Sequence, residues 1–541
     1  MAFDFVIVGG GSAGATLAAR LSEDQAVSVC LLEAGGEGKD VLVRAPAGVA
    51  ALLPGRPKIN NWAFHTTPQA ALDGRRGFQP RGRALGGSSA INAMLYVRGH
   101  PDDYDEWAEQ GCEGWGWDDV RPYFLRSENN QRGVDRHHAT GGPLQVGNQR
   151  SPHPISHAFV DAAAECQHPR REDFNDGVQH GAGLYQVTQF FSGPKAGERC
   201  SAAAAYLHPV MGRPNLTVIT GAHATRIRFD GRRATGVAYR SGGREGFAEA
   251  RREVILSAGA FQSPQLLMLS GVGPEDELRR HGIPVVAALE GVGRNLRDHL
   301  DFILLHRSDD TDLLGLSLTG AANIVRWARR WRKDGTGGLA SPGAEAGAFL
   351  KTDPALDKPD VQLHFVIGLV DDHMRRLHLG HGFSCHVCVL RPHSVGAVRL
   401  AGADPFAAPE IDPAYLSDRR DLDTLVKGIR LTQRILQSPS LAPWRREEIY
   451  TRPDMSEDEI VRHIRARADT IYHPIGTCRM GHDDLAVVDT ELKVHGLENV
   501  RVVDASIMPT LIGGNTNAPA IMIAEKAADI IAGRRAMATA A

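Results

Sequence analysis

No run of about 18 apolar residues occurs in the chain, so no membrane-spanning helix is expected. No positively charged start leads into an apolar stretch and a small-residue cleavage site. An apolar run begins at Phe3 instead, and no removable signal is expected. A basic excess is missing too: 61 Lys and Arg stand against 64 Asp and Glu, a net charge of −3, which gives a nucleic-acid partner no electrostatic footprint. Cysteine is scarce. Seven scattered residues in 541 do not make a disulfide framework and point to a reducing, cytoplasmic setting. Cys385 and Cys388 form a CxxC with no second pair, inside an apolar stretch that reads as a buried strand, so no metal site is expected. Internal repeats are absent, and the tail at Ala536–Thr539 reads as a frayed end.

Hydrophobic residues at 42% and charged residues at 23% are ordinary for a soluble globular protein. The length exceeds what one core supports and implies two domains. Phe3 to Val8 reads as a buried parallel strand. Leu17, Ala18 and Leu21 share a helical face, and Val27 to Leu32 is a second buried strand. Between strand and helix lies Gly9-Gly-Gly11-Ser12-Ala13-Gly14, a GxGxxG. Its glycines allow a tight turn, close approach of backbone to a pyrophosphate, and close helix–strand packing. The helix start adds free N–H groups and a positive dipole end. Glu33 ends the second strand about twenty positions further on, where a carboxylate can accept ribose hydroxyls. The α/β class and a Rossmann-like dinucleotide domain follow.

Three further stretches imply a cofactor larger than a nicotinamide dinucleotide. Gly82 to Asn92, with Arg83, Gly86, Gly87 and Ser88, is a glycine- and serine-rich loop able to form an anion nest. Gly259 to Gly273 is another glycine-marked strand–helix junction, and Asp504-Ala505 ends a late strand. There is no second strand–GxGxxG–helix unit for a nicotinamide.

Together with Thr470-Ile-Tyr-His473-Pro-Ile-Gly-Thr-Cys-Arg-Met-Gly481 and Asp504 to Pro519, these motifs resemble the glucose–methanol–choline (GMC) flavoproteins over nearly the whole chain. Within that family the chain is most similar to the bacterial FAD-dependent primary-alcohol dehydrogenases of alkane degradation. The resemblance implies an FAD domain from residues 1–150, 206–300 and 465–541, and an α+β substrate domain, a sheet backed by helices, from 151–205 and 301–464. It implies FAD contacts at Gly9, Gly11, Ser12, Ala13, Gly14, Glu33, Arg83, Gly86, Gly87, Ser88, Asn92, Ala93, Ala224, Asp504, Ala505, Asn515 and Thr516. It also implies oxidation of an alcohol by hydride transfer to flavin N5. Some members attach FAD through a histidine just after the Gly-Gly-Ser-Ser loop; Ile91 stands there, so non-covalent FAD is expected.

His473 matches the catalytic histidine of the family. A base that removes the hydroxyl proton lets the developing carbonyl expel a hydride, and an imidazole suits the task. Asn515 matches the position of a second His or an Asn and would orient the substrate oxygen. Tyr472 adjoins the base. His364 is either a pocket residue or a satisfied core histidine. Arg307, counted from Asp298-His299-Leu300-Asp301, falls where choline-acting relatives carry a carboxylate; it is either a cation that repels quaternary ammonium or a plain surface arginine. A quinone-type electron acceptor is favoured over oxygen, with an alcohol oxidase, or a choline or sugar-alcohol dehydrogenase, as alternatives. Ile324, Trp327 and Trp331 share one helical face and Arg326, Arg329, Arg330 and Lys333 another. That pattern reads either as peripheral contact with a membrane headgroup region or as a surface helix packed on its own domain.

Overall fold

The structure is a computed structural model and describes residues 2–534; Ala536–Thr539 lies outside the described residues. Two sheets organise it. The first has seven strands. Its parallel part runs Leu216–Ile219, Val29–Leu32, Ala2–Val8 and the end of Arg244–Leu256, with Val500–Val502 beyond. Val6, Ile7, Leu31 and Ile255 have no exposed surface, as expected for strands covered on both faces. The 13-residue strand Arg244–Leu256 extends past this region and pairs antiparallel with Arg233–Ser241, which pairs with Ala222–Asp230.

The first strand ends at Gly9, whose φ of +98° turns the chain into the helix Ser12–Leu21. Gly14 lets that helix lie against the turn: a Cβ there would sit 1.9 Å from the Gly9 carbonyl oxygen.

The second sheet has eight strands and is antiparallel throughout. Its middle runs Leu300–Ser308, Gly380–Val389, Val361–Val366 and Ala344–Leu350. The period of two sorts the side chains. Phe302, Leu304, Leu363, Phe365, Cys385 and Val387 pack with the helices Pro154–Glu165, Arg419–Gln437 and Glu457–Arg467 in one apolar core. Asp301, Gln362, His364, His386 and Cys388 therefore point to the opposite face. Cys385 and Cys388 are free and buried on opposite faces of one strand.

No helix among the described residues is long and apolar enough to cross a membrane. In the helix Leu318–Asp334 the two tryptophans turn inward. Trp327 is buried over Gly338, and the Trp331 indole donates to the Gly197 carbonyl at 2.8 Å. Both tryptophans thus pack on the protein itself, as in the reading of a surface helix packed on its own domain. Leu318, Val325, Arg326, Arg329, Arg330 and Lys333 are among the exposed residues of this helix, and Ile324 joins them rather than the tryptophans.

The last helix, Asn517–Ile531, is buried on every side, although its sequence shows one apolar face. Glu525 has no exposed side-chain surface, and it accepts from Arg20 Nε at 2.9 Å, Arg126 Nε at 2.7 Å and the Tyr206 hydroxyl at 2.7 Å. Arg126 also pairs with Asp529 at 2.8 Å. These contacts tie the last helix to the first one and to the helix Trp117–Ser127. Removing one partner of a buried pair strands the other charges. Glu525→Ala is accordingly expected to destabilise the fold by about 3 kcal/mol, measured by chemical or thermal unfolding; a loss below about 1 kcal/mol would show the network to be dispensable.

Candidate functional site

A long cavity runs between the two sheets. From the first sheet it is lined by Gly9, Gly11, Ser12, Ala13, Glu33, Ala224, Asp504 and Ala505. The loop residues Gly87, Ser88, Asn92 and Ala93 join them, with Asn515 and Thr516 at the start of the last helix. Pro342, Ala344, His364, Val366, Val370, Met374 and His386 line it from the second sheet and its loops. Tyr472 and His473 lie between.

Gly14, Gly86 and Arg83, expected on the cofactor, are not lining residues. Gly14 serves helix packing. Gly86 takes φ +94° at the turn into Gly87–Ala90, an αL position that suits glycine. Arg83 lines a neighbouring cavity and stacks on Trp62, 4.6 Å from the ring centre. Arg307 lies away from both cavities. It is partly exposed, donates to the Leu379 carbonyl at 2.8 Å and sits 3.6 Å from Glu447, so it reads as a surface arginine.

The first-sheet half of the cavity fits a dinucleotide. Two glycine loops meet there: a Cβ on Gly87 would lie 2.6 Å from the Gly11 Cα, so the Gly82–Asn92 loop tolerates no side chain at the contact. Glu33 accepts from the backbone N–H of Gly10 at 2.9 Å and of Gly35 at 2.7 Å. Burial still pushes its carboxyl up to about 7, against those hydrogen bonds and the Arg83 charge. Asp504 is held by the Gly259 N–H at 2.9 Å and the Ser263 hydroxyl at 2.6 Å. Ser12 donates to Asn517 Oδ1 at 2.7 Å, joining the first and last helices beside the cavity.

His473 is the centre of a directed chain of hydrogen bonds. His299 Nε2 lies 3.0 Å from the Leu390 carbonyl, which only accepts, so this nitrogen carries the proton. Nδ1 of a neutral His299 is then an acceptor. It lies 2.9 Å from His473 Nδ1, which must donate. The lone pair of His473 is thereby placed on Nε2, 3.2 Å from the Asn515 amide nitrogen. Asn515 Oδ1 accepts from Gln362 Nε2 at 3.1 Å. Gln362 also donates to the Tyr185 hydroxyl at 3.0 Å, and Tyr185 donates to the Leu363 carbonyl at 2.8 Å. Both ends of the chain are carbonyls, so every donor along it is determined.

The backbone of His473 is fixed independently. Its N–H donates to Asp298 Oδ1 at 2.8 Å, while Asp298 Oδ2 accepts from the Tyr415 hydroxyl at 2.6 Å and the Thr470 hydroxyl at 2.5 Å. Burial raises the Asp298 carboxyl, opposed by those hydroxyls and by Arg81. Burial drives His473 well below the ordinary histidine value, helped by His299, His364 and Arg81. It takes His299 down to about 3.

The second-sheet half is apolar apart from two imidazoles. His364 and His386 face each other directly across neighbouring strands. Burial lowers His364 to about 3, opposed by the neighbouring Asn515 amide. His299, Asp298, Gln362 and His386 are absent from the residues anticipated in the sequence as contacts. The motif Asp298-His299 and the alternation in Val361-Gln362-Leu-His364 were the available signals.

A family model described as GMC oxidoreductase matches residues 3–301, and a second of the same description matches 392–524. A two-sheet fold with a glycine-cradled cavity and a histidine beside an amide thus belongs to an oxidoreductase class, and the chain is a member of the GMC oxidoreductase family. Among its relatives, an alcohol dehydrogenase [acceptor] of Pseudomonas putida is 47% identical across 98% of this chain and 95% of that protein. The mitochondrial choline dehydrogenase of Homo sapiens is 43% identical across 99% and 90%. A solved formate oxidase of Aspergillus oryzae, studied for FAD modification, superposes with a TM-score of 0.89 at 29% identity, covering 98% of each chain.

With its pKa depressed, His473 stays unprotonated as pH falls through the usual histidine range, and its Nε2 lone pair stays free. In histidine-labelled protein, NMR is expected to show His473 as the Nδ1–H form from pH about 8 to about 6; protonation with a midpoint at or above about 6.5 would contradict the geometry.

Proposed function

We propose that the protein binds FAD without a covalent bond and oxidises a primary alcohol to the aldehyde, delivering the electrons to a quinone-type acceptor. The observation that carries this is the lone pair of His473 Nε2, fixed by His299 and set beside the Asn515 amide where the dinucleotide half of the cavity meets the apolar half. Bound FAD supplies the two-electron acceptor. His473 takes the hydroxyl proton, Asn515 donates to the alcohol oxygen and orients it, and the buried setting excludes water from the base. His364 and Tyr472 line the substrate end. Ile91, buried beside the loop, offers no nucleophile for a flavin link.

Choline is a second reading, favoured by the choline dehydrogenases among the relatives. Against it, Pro342, Ala344, Val366, Val370 and Met374 line the second-sheet side without an aromatic ring, and Tyr472 by itself does not enclose a quaternary ammonium. An apolar, uncharged primary alcohol suits Met94, Leu95, Val366, Val370, Met374 and Ile471 better.

Anaerobic mixing with a panel of primary alcohols is expected to bleach the flavin, and a quinone is expected to restore it faster than oxygen does. His473→Ala is expected to keep flavin and slow bleaching by about 10²- to 10⁴-fold; rapid bleaching of that variant would remove the base assignment. Acid precipitation is expected to leave the yellow colour in the supernatant, and a yellow pellet would overturn the non-covalent reading.

A further inference from the structure

Behind the substrate end of the cavity lies one carboxylate that the alcohol chemistry does not use. Asp301 sits on Leu300–Ser308 and His386 on the adjacent Gly380–Val389, both on the cavity-facing side of the sheet. His386 Nδ1 lies 2.6 Å from Asp301 Oδ2. His386 lines the cavity and Asp301 does not, although Asp301 Oδ1 is buried without a hydrogen-bond partner. The imidazole therefore stands between the carboxylate and the space for substrate. No described residue hydrogen-bonds its Nε2. The other acidic lining residues, Glu33 and Asp504, belong to the dinucleotide half.

We propose that His386 masks Asp301 and thereby sets the preference of this site for uncharged over cationic alcohols. A bare buried carboxylate at this position would attract an ammonium group strongly, because the apolar surroundings screen it little. Capped by an imidazole at charge-assisted distance, the same carboxylate has its strongest partner already, and an ammonium must compete with that bond to gain any contact. Specificity here is a device against the wrong substrate: at its substrate end the cavity offers a cation no available anion. The inference rests on the alcohol-oxidising reading above and adds which residue excludes charge. It also separates two roles for the sheet's histidines: His364, opposite His386, has no carboxylate partner and is left to the substrate.

The test uses a pair of alcohols equal in shape and differing in charge, choline and its carbon isostere 3,3-dimethyl-1-butanol. The ratio of their kcat/KM values is measured in the wild-type holoenzyme, in His386→Leu and in the double variant His386→Leu with Asp301→Asn, each confirmed to hold flavin by its absorbance. The wild type is expected to favour the neutral isostere. His386→Leu is expected to raise the choline-to-isostere ratio by about tenfold or more, and the second substitution is expected to return it to within about twofold of the wild type. A ratio unchanged in His386→Leu, or a rise that survives in the double variant, overturns the proposal. His386→Asn, which keeps a polar side chain but cannot span the same gap, is read in the same way if His386→Leu fails to hold flavin. Wild-type enzyme bleached by neither member of the pair nor by any other primary alcohol would instead bring down the alcohol reading itself.

Discussion

The buried carboxylate of Asp298 is the constraint on which the site depends. Its two oxygens gather the N–H of His473 and the hydroxyls of Tyr415 and Thr470, from two segments each more than a hundred residues away in the chain. Thr470 belongs to the short strand that pairs with the edge of the second sheet, and Tyr415 lies in the loop before the helix Arg419–Gln437. An unpaired carboxylate in this position would carry the full desolvation cost; three donors offset it and also fix the backbone from which the His473 imidazole projects. Position of that imidazole and integrity of the junction between the sheets are thus one property.

The two halves of the cavity are built by opposite means. The dinucleotide half is shaped by missing side chains: Gly11 and Gly87 meet backbone to backbone, and Gly9 turns where few other residues can. The other half is shaped by side chains that alternate across a sheet, so each strand sends one set of residues to the helices and one to the cavity. A shift of register by one residue would exchange them, placing Leu363 and Val387 where His364 and His386 now stand. The helical core behind that sheet therefore fixes the chemistry in front of it.

Much of this could be read in the sequence where one short stretch carries its own signal. The strand–GxGxxG–helix unit is local, and the glycines of Gly82–Asn92 mark a loop whatever lies opposite. The segment around His473 was recognisable by likeness. What was not legible depends on partners brought together across hundreds of residues. Arg83 shares a loop with lining residues, but its guanidinium stacks on Trp62 beside the neighbouring cavity, which loop composition does not reveal. Arg307 was placed by counting along a strand; it lies six residues beyond Asp301, where its side chain reaches the Leu379 carbonyl and Glu447 and lines neither cavity. The tryptophans at 327 and 331 obey the helical period of an amphipathic surface, but that period says only that a face is apolar and not which neighbour covers it; here Gly338 and the Gly197 carbonyl do. The last helix shows the converse. Glu525 and Asp529 look like a solvated face until Arg20 and Arg126 arrive from elsewhere.

The carbonyl at each end of the chain from Leu363 to Leu390 makes it a one-way street for protons. His473 can accept a proton only at Nε2, since Nδ1 already gives its own to His299. Once it has done so, the new N–H points at the amide of Asn515, whose donor end is turned towards it. The amide cannot swing round to present oxygen without losing the hydrogen bond from Gln362. His299 cannot relay the proton inward, because its outer nitrogen is committed to Leu390. A proton captured there is lodged where nothing in the resting wall welcomes it, and its way out leads through the cavity. On the proposed alcohol oxidation, the base is ready again only once that proton has been handed back to the cavity.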